Sequence, residues 1–128
     1  MATYEDVAAL AAELPEVTDG DRHGHRAWFV GGKAFAWERL FSKADLKRFG
    51  DQTPPEGPIL AVSVEDLHEK EAVLAAHQDS FFTIEHFNGY PAVLIQLDRV
   101  KTADLREALT DAWLTAAPPK LASRYFRD

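Results

Sequence analysis

Apolar residues first recur at helical spacing through Tyr4, Val7, Leu10, Ala11 and Leu14, with Thr3 and Asp6 placed as an N-cap and its third-position acid. Pro15 ends that helix. A short extended stretch, 17–22, leads into two β-rich runs, Arg26 to Val30 and Lys33 to Leu40, separated by Gly31-Gly32, a pair that tolerates the positive φ of a two-residue hairpin turn. With those glycines as the loop, Val30 pairs with Lys33, Phe29 with Ala34, Trp28 with Phe35, Ala27 with Ala36 and Arg26 with Trp37. The segment 41–57 is polar, with a helical turn at 43–49, and the span from Asp51 through Pro58 holds three prolines. Pro58 to Val64 reads as a strand, and Ser63 with Asp66 starts a helix running to about His77. Phe81 to Leu97 reads as a second hairpin turning at Asn88-Gly89, the preferred type I′ pair. Thr102 then caps a helix in which Leu105, Ala108, Leu109, Ala112, Trp113 and Ala116 form one apolar stripe, stopped by Pro118-Pro119.

Strands joined by tight turns, with helices at the ends, predict an α+β two-layer sandwich: an antiparallel sheet with helices packed on one face, and a single domain over 1–128. No internal repeat or low-complexity segment interrupts it. The opening Met-Ala-Thr-Tyr-Glu-Asp has neither the basic nor the apolar part of a signal peptide, and no apolar run reaches a membrane-spanning length, so a cytoplasmic location is expected. The 128 residues contain no Cys, which excludes disulfides, thiolate metal sites and cysteine nucleophiles.

Charge changes the picture more than composition does. The formal net charge is −7, yet residues 22–48 carry seven bases against two acids, while 1–20 carry five acids and no base. Only the middle segment supplies a basic surface. Phosphate neutralisation dominates nucleic-acid affinity, so such a chain binds nucleic acid only if that segment is concentrated on one face.

Several residue groups bear chemistry. Arg26, Trp28, Lys33, Phe35 and Trp37 share one face of the first hairpin in the register above, either as a stacking platform with phosphate contacts or as core aromatics with bases at the edge. His25, Ala27, Phe29, Ala34, Ala36 and Glu38 would then face solvent or a partner. Lys33, just past the turn, is the favoured anion contact. Asp21, His23 and His25 alternate along what would be one strand, a spacing that offers a carboxylate and two imidazoles to a divalent metal, without a fourth ligand; no metal is expected. His86 shares parity with Phe82 and Ile84 and is expected at the core rim. Glu65, Asp66, Glu69 and Glu71 make an acidic helix face. Walker, G-x-S-x-G and H-E-x-x-H sequences are missing, so no catalytic residue, no enzyme activity and no cofactor are expected.

The run His23-Gly24-His25-Arg26, Phe29 to Ala36, Phe81-Phe82-Thr83, His86 to Tyr90, Val93 to Leu97 and Leu105 to Trp113 resembles the MmcQ/YjbR family over nearly the whole chain. That resemblance implies a CyaY or frataxin-like fold and contact with DNA through two hairpin wings. On this reading the nucleic-acid contacts are Arg22, His25, Arg26, Lys33, Arg39 and Asn88. The alternative is a protein or small-ligand interaction domain, a monomer or weak homodimer, anchored by Trp28, Trp37 or Tyr125-Phe126.

Overall fold

The computed structural model describes residues 2–125. The elements run α1 (Tyr4–Ala12), β1 (Thr18–Arg22), β2 (His25–Val30), β3 (Lys33–Glu38), α2 (Lys43–Phe49), β4 (Ile59–Ser63), α3 (Leu67–Ala76), β5 (Phe81–Phe82), a 3-10 turn (Glu85–Phe87), β6 (Ala92–Gln96), α4 (Thr102–Ala116) and α5 (Pro119–Tyr125). The six strands form one antiparallel sheet in the order β1-β2-β3-β4-β6-β5. The architecture is the predicted α+β sandwich. Among the described residues no helix is long and apolar enough to cross a membrane.

Local chemistry accounts for most element boundaries. Thr3 and Asp6 close a capping box at the start of α1, and Ser42 and Asp45 close another at the start of α2. The α3 cap is Asp66, whose carboxylate accepts from the Glu69 N–H at 2.8 Å, and not Ser63, which ends β4. Thr102 begins α4 instead of capping it; Lys101 holds the cap position and makes no side-chain bond there. Past the α4 stop, Pro119 opens α5 as a first-turn proline, a helix the stop signal conceals.

One face of the sheet carries α1, α3, α4 and α5 over a core that includes Trp28, Val30, Phe35, Leu60, Leu105, Leu109 and Trp113. Each of these side chains contributes roughly 1.5–3 kcal/mol through burial. Trp113 also donates its indole N–H to the Pro15 carbonyl at 3.0 Å, tying the end of α1 to α4.

The other face does not meet solvent as a whole. Ala27, Trp37, Ile59, Ala61, Ile84, Phe87, Ala92 and Leu94 form a second core there, edged by Phe29, Phe41, Phe49 and Phe82 and covered by α2 and the 3-10 turn.

The two faces are sorted by a β-bulge that the sequence pattern does not announce. Phe29 faces Ala34 as predicted, but Trp28 faces Ala36 and Ala27 faces Trp37, which leaves Phe35 as the extra residue of β3. Beyond the bulge every β3 side chain changes face. Phe35 and Ala36 therefore join Trp28 in the helix-side core, while Trp37 crosses to the second.

The second hairpin is also not the predicted one. Its strand β5 is two residues long, and Asn88 (φ −59°, ψ 128°) and Gly89 (φ 75°) form a type II turn closed by Tyr90 N–H to Phe87 C=O at 3.0 Å. Only Gly89 needs positive φ there, and the Pro91 ring bars a ladder through the missing residues.

Candidate nucleic-acid interface

The bulge and the turns decide where the basic segment goes. His23 (φ 54°) and Gly24 (φ 82°) make the two-residue turn between β1 and β2, with the Gly24 N–H donating to the Asp21 carboxylate at 3.2 Å. Asp21, His23 and His25 therefore do not line one side of a strand. Asp21 sits opposite Arg26 and His25 opposite Arg22, on alternate faces. Among the described residues no three His, Asp or Glu side chains are gathered to hold a metal ion.

Arg26 lies on the helix side, over the Trp28 ring at 5.2 Å, where it pairs with Glu5 of α1 at 2.7 Å and Asp19 of β1 at 2.8 Å. Hydrogen bonds to Asp19 and then Glu5 raise its pKa further above its already high value, so it is a cation spent on its own fold. Lys33 is exposed at the Gly31-Gly32 tip, at the far end of β3 from Arg39. Asn88 is exposed in the type II turn. That turn is held from within by Lys70, which is 7% exposed and donates its ammonium to the Phe87 and Tyr90 carbonyls at 2.6 and 2.9 Å; burial lowers its pKa.

Arg22, His25 and Arg39 go to the other face. The Arg22 guanidinium lies over the Trp37 ring at 4.1 Å, and His25 is its cross-strand neighbour. Arg39 stands over Phe87 at 5.5 Å and pairs at 2.9 Å with Asp45, which is 2% exposed and also takes the Ser42 N–H at 2.9 Å. Burial pushes the Asp45 carboxyl up, but the Ser42 N–H and the Arg39 guanidinium outweigh it and hold the carboxyl below its ordinary value. Arg48 of α2 reaches Asp45 and Glu85 at 3.9 Å each.

On the same helix, Lys43 and Lys47 are exposed and, among the described residues, form no ion pair. The basic segment 22–48 includes these α2 bases, but its composition alone does not mark them as site residues. The Ser42-x-x-Asp45 box, which makes 43–49 a helix, was the signal that could have found them.

Arg22, Arg39 and Arg48, with His25, thus lie on the α2 side of the sheet with Asp45 and Glu85, while Lys43 and Lys47 are exposed on α2 itself and Asp51 is exposed just past its end. The acids of α1, α3 and α4 belong to the opposite layer. The net charge of −7 is distributed unevenly across the sheet.

The proposed anchors fare differently. Trp28 and Trp37 are buried, in opposite cores, and offer no free aromatic surface. Tyr125 is exposed with its ring 5.1 Å from Trp113, and Phe126 lies outside the described residues. His86 is exposed beside Phe87 in the 3-10 turn and not at a strand rim, because the strand that would have placed it there is absent.

Comparison with known proteins bears on the whole chain. A family model described as YjbR matches residues 12–115. The uncharacterized proteins Rv2570 of Mycobacterium tuberculosis and Mb2600 of Mycobacterium bovis are each 41% identical over 128 residues, covering 98% of this chain and 96% of the relative. The crystal structure of Deinococcus radiodurans protein DR2400, a DUF419 domain, superposes with a TM-score of 0.63 at 21% identity, over 89% of this chain and 78% of that one. At that identity the likeness concerns the fold.

Proposed function

The chain belongs to the YjbR family, and on that premise we propose that it is a non-catalytic, cytoplasmic binding domain that contacts the phosphates of nucleic acid through its α2 face. The observation that carries this reading is the sidedness of charge: five cations and His25 lie on the α2 side of the sheet, while the acids of α1, α3 and α4 lie behind it. Charges separated by more than a Debye length, about 10 Å at 0.1 M salt, are largely screened from one another, so a strand at the α2 face responds to the local balance more than to the total.

The contacts on this reading are Arg22, His25, Lys43, Lys47 and Arg48; Arg39, 16% exposed and paired with Asp45 at 2.9 Å, braces the face instead of binding. Arg26 drops out because Glu5 and Asp19 neutralise it, and Lys33 and Asn88 stand apart from the patch. A non-catalytic role is supported by the histidines. Among the described residues His23, His25 and His86 make no hydrogen bond to a carboxylate or hydroxyl, and the histidine that does stand near a carboxylate, His77 at 3.8 Å from Asp104, lies on the opposite side of the sheet from α2.

The test is fluorescence anisotropy with labelled single-stranded and duplex DNA across a salt series. Three to four phosphate contacts predict a log–log slope of about −2 to −4. Lys43→Glu with Lys47→Glu should abolish binding, and Lys33→Glu should leave it nearly unchanged. No binding at low salt, or equal loss from Lys33→Glu, would refute the α2 face.

A further inference from the structure

A cleft on the other side of the sheet is independent of the α2 face. Helix α4 crosses β3 and β4, whereas α3 sits over β5 and β6. Between the two helices is an open cleft of about 760 Å³, within the range of small-molecule sites. Its floor and inner walls are apolar, supplied by Val64, Val73, Ala76, Phe81, Ala108 and Leu114.

Its rim has one sign of charge. Glu65 and Glu69 project from the α3 side and Glu107 and Asp111 from α4. Among the described residues none of these four carboxylates forms an ion pair. Burial, then Glu107 and Glu69, raise the pKa of Asp111, which is the physical sign that the rim carboxylates repel one another across a partly dry gap. Asp104 at one end of the cleft faces His77 at 3.8 Å, the sole cationic candidate on its lining.

From this cleft we infer that the protein binds a small organic cation, an ammonium group on a hydrocarbon body, with the body on the apolar floor and the ammonium among Glu69, Glu107 and Asp111. Charge complementarity selects the cation, and the floor selects an apolar body over a hydrated metal ion. The volume suits a small molecule better than a protein surface, whose interfaces are broad and shallow.

The experiment is an NMR titration of the full chain at low salt with hexylammonium, 1,6-diaminohexane, hexanol, hexanoate and magnesium chloride. The inference expects saturable shifts from both ammonium probes, centred on Val64, Val73, Ala108 and Leu114. Hexanol and hexanoate should bind at least about fivefold more weakly, the order of effect of losing one or two half-exposed ion pairs. Glu69→Gln with Asp111→Asn should weaken hexylammonium by a similar factor while leaving the fold intact, since both residues are exposed. Ala72→Phe, on the exposed wall of α3, should reduce binding of every probe by filling the cleft.

Several results would overturn the inference. These are no saturable binding of either amine at millimolar concentration, hexanoate binding as well as hexylammonium, magnesium reproducing the amine shifts, or the double variant binding hexylammonium as tightly as the parent.

Discussion

Replacing Asp45 by Asn tests the device that holds the α2 face together. The carboxylate is 2% exposed and takes the Ser42 N–H at 2.9 Å and the Arg39 guanidinium at 2.9 Å, with Arg48 at 3.9 Å. Removing one partner of a fully buried ion pair costs about 3–5 kcal/mol. Two features reduce that here. The Ser42 N–H and the Arg39 guanidinium share the Oδ2 oxygen, which the weaker amide oxygen of asparagine can replace, and the Arg39 side chain, 16% exposed, can turn part of its charge to water. The expected loss is therefore about 2–3 kcal/mol, of which the weakened cap accounts for about 1.

The assay is urea unfolding followed by tryptophan fluorescence, repeated down the pH scale. Because the folded carboxyl is held below its ordinary value of 3.8, its contribution is complete above pH 3.8 and is lost as pH falls through the folded value. The gap between parent and Asp45→Asn must then close in acid. Asp66→Asn is the control, since asparagine caps α3 as well as aspartate and no arginine is paired there. A gap below about 0.5 kcal/mol at neutral pH, or one that persists unchanged in acid, would refute the account of Asp45 as a charged clamp.

Tyr4 donates to the Ile59 carbonyl at 2.8 Å and accepts the Ile59 N–H at 3.1 Å, so Tyr4→Phe should cost about 1–2 kcal/mol in the same unfolding assay. Burial pushes this phenol up to about 12, so absorbance at alkaline pH should show one of the three tyrosines titrating late, with stability falling as pH rises from 10 through 12; Tyr4→Phe should remove that step. Lys70→Met keeps the bulk but takes two donors from the Phe87 and Tyr90 carbonyls, which should cost about 1–2 kcal/mol and speed amide exchange in the 84–90 segment before the rest of the sheet. Gly31 and Gly32 both have positive φ, but a Cβ at Gly31 would lie 2.8 Å from the Pro118 ring while one at Gly32 meets nothing; Gly31→Ala should therefore lower the melting temperature clearly more than Gly32→Ala.

Elements whose identity rests on neighbouring residues were legible in the chain. The Thr3/Asp6 box, the Gly31-Gly32 turn, the apolar stripe of α4 and the helical turn at 43–49 all follow from contacts within a few positions, and the structure has each of them. The candidate site was legible only as composition: a basic stretch at 22–48. Which cations remain free was not, because Glu5, 21 positions before Arg26, and Asp45 beside Arg39 become partners only through the fold.

The sequence by itself determined the α+β class, the turn that pairs β2 with β3 and the uneven spread of charge, since propensity, periodicity and turn chemistry are local. Only the tertiary structure decided which face each residue serves. One unpaired residue, Phe35, sends Trp37 to the opposite core from Trp28. A sheet alternates sides at every position, so a single bulge reassigns everything that follows it, and the cores that receive the reassigned side chains are built from residues distant in the chain.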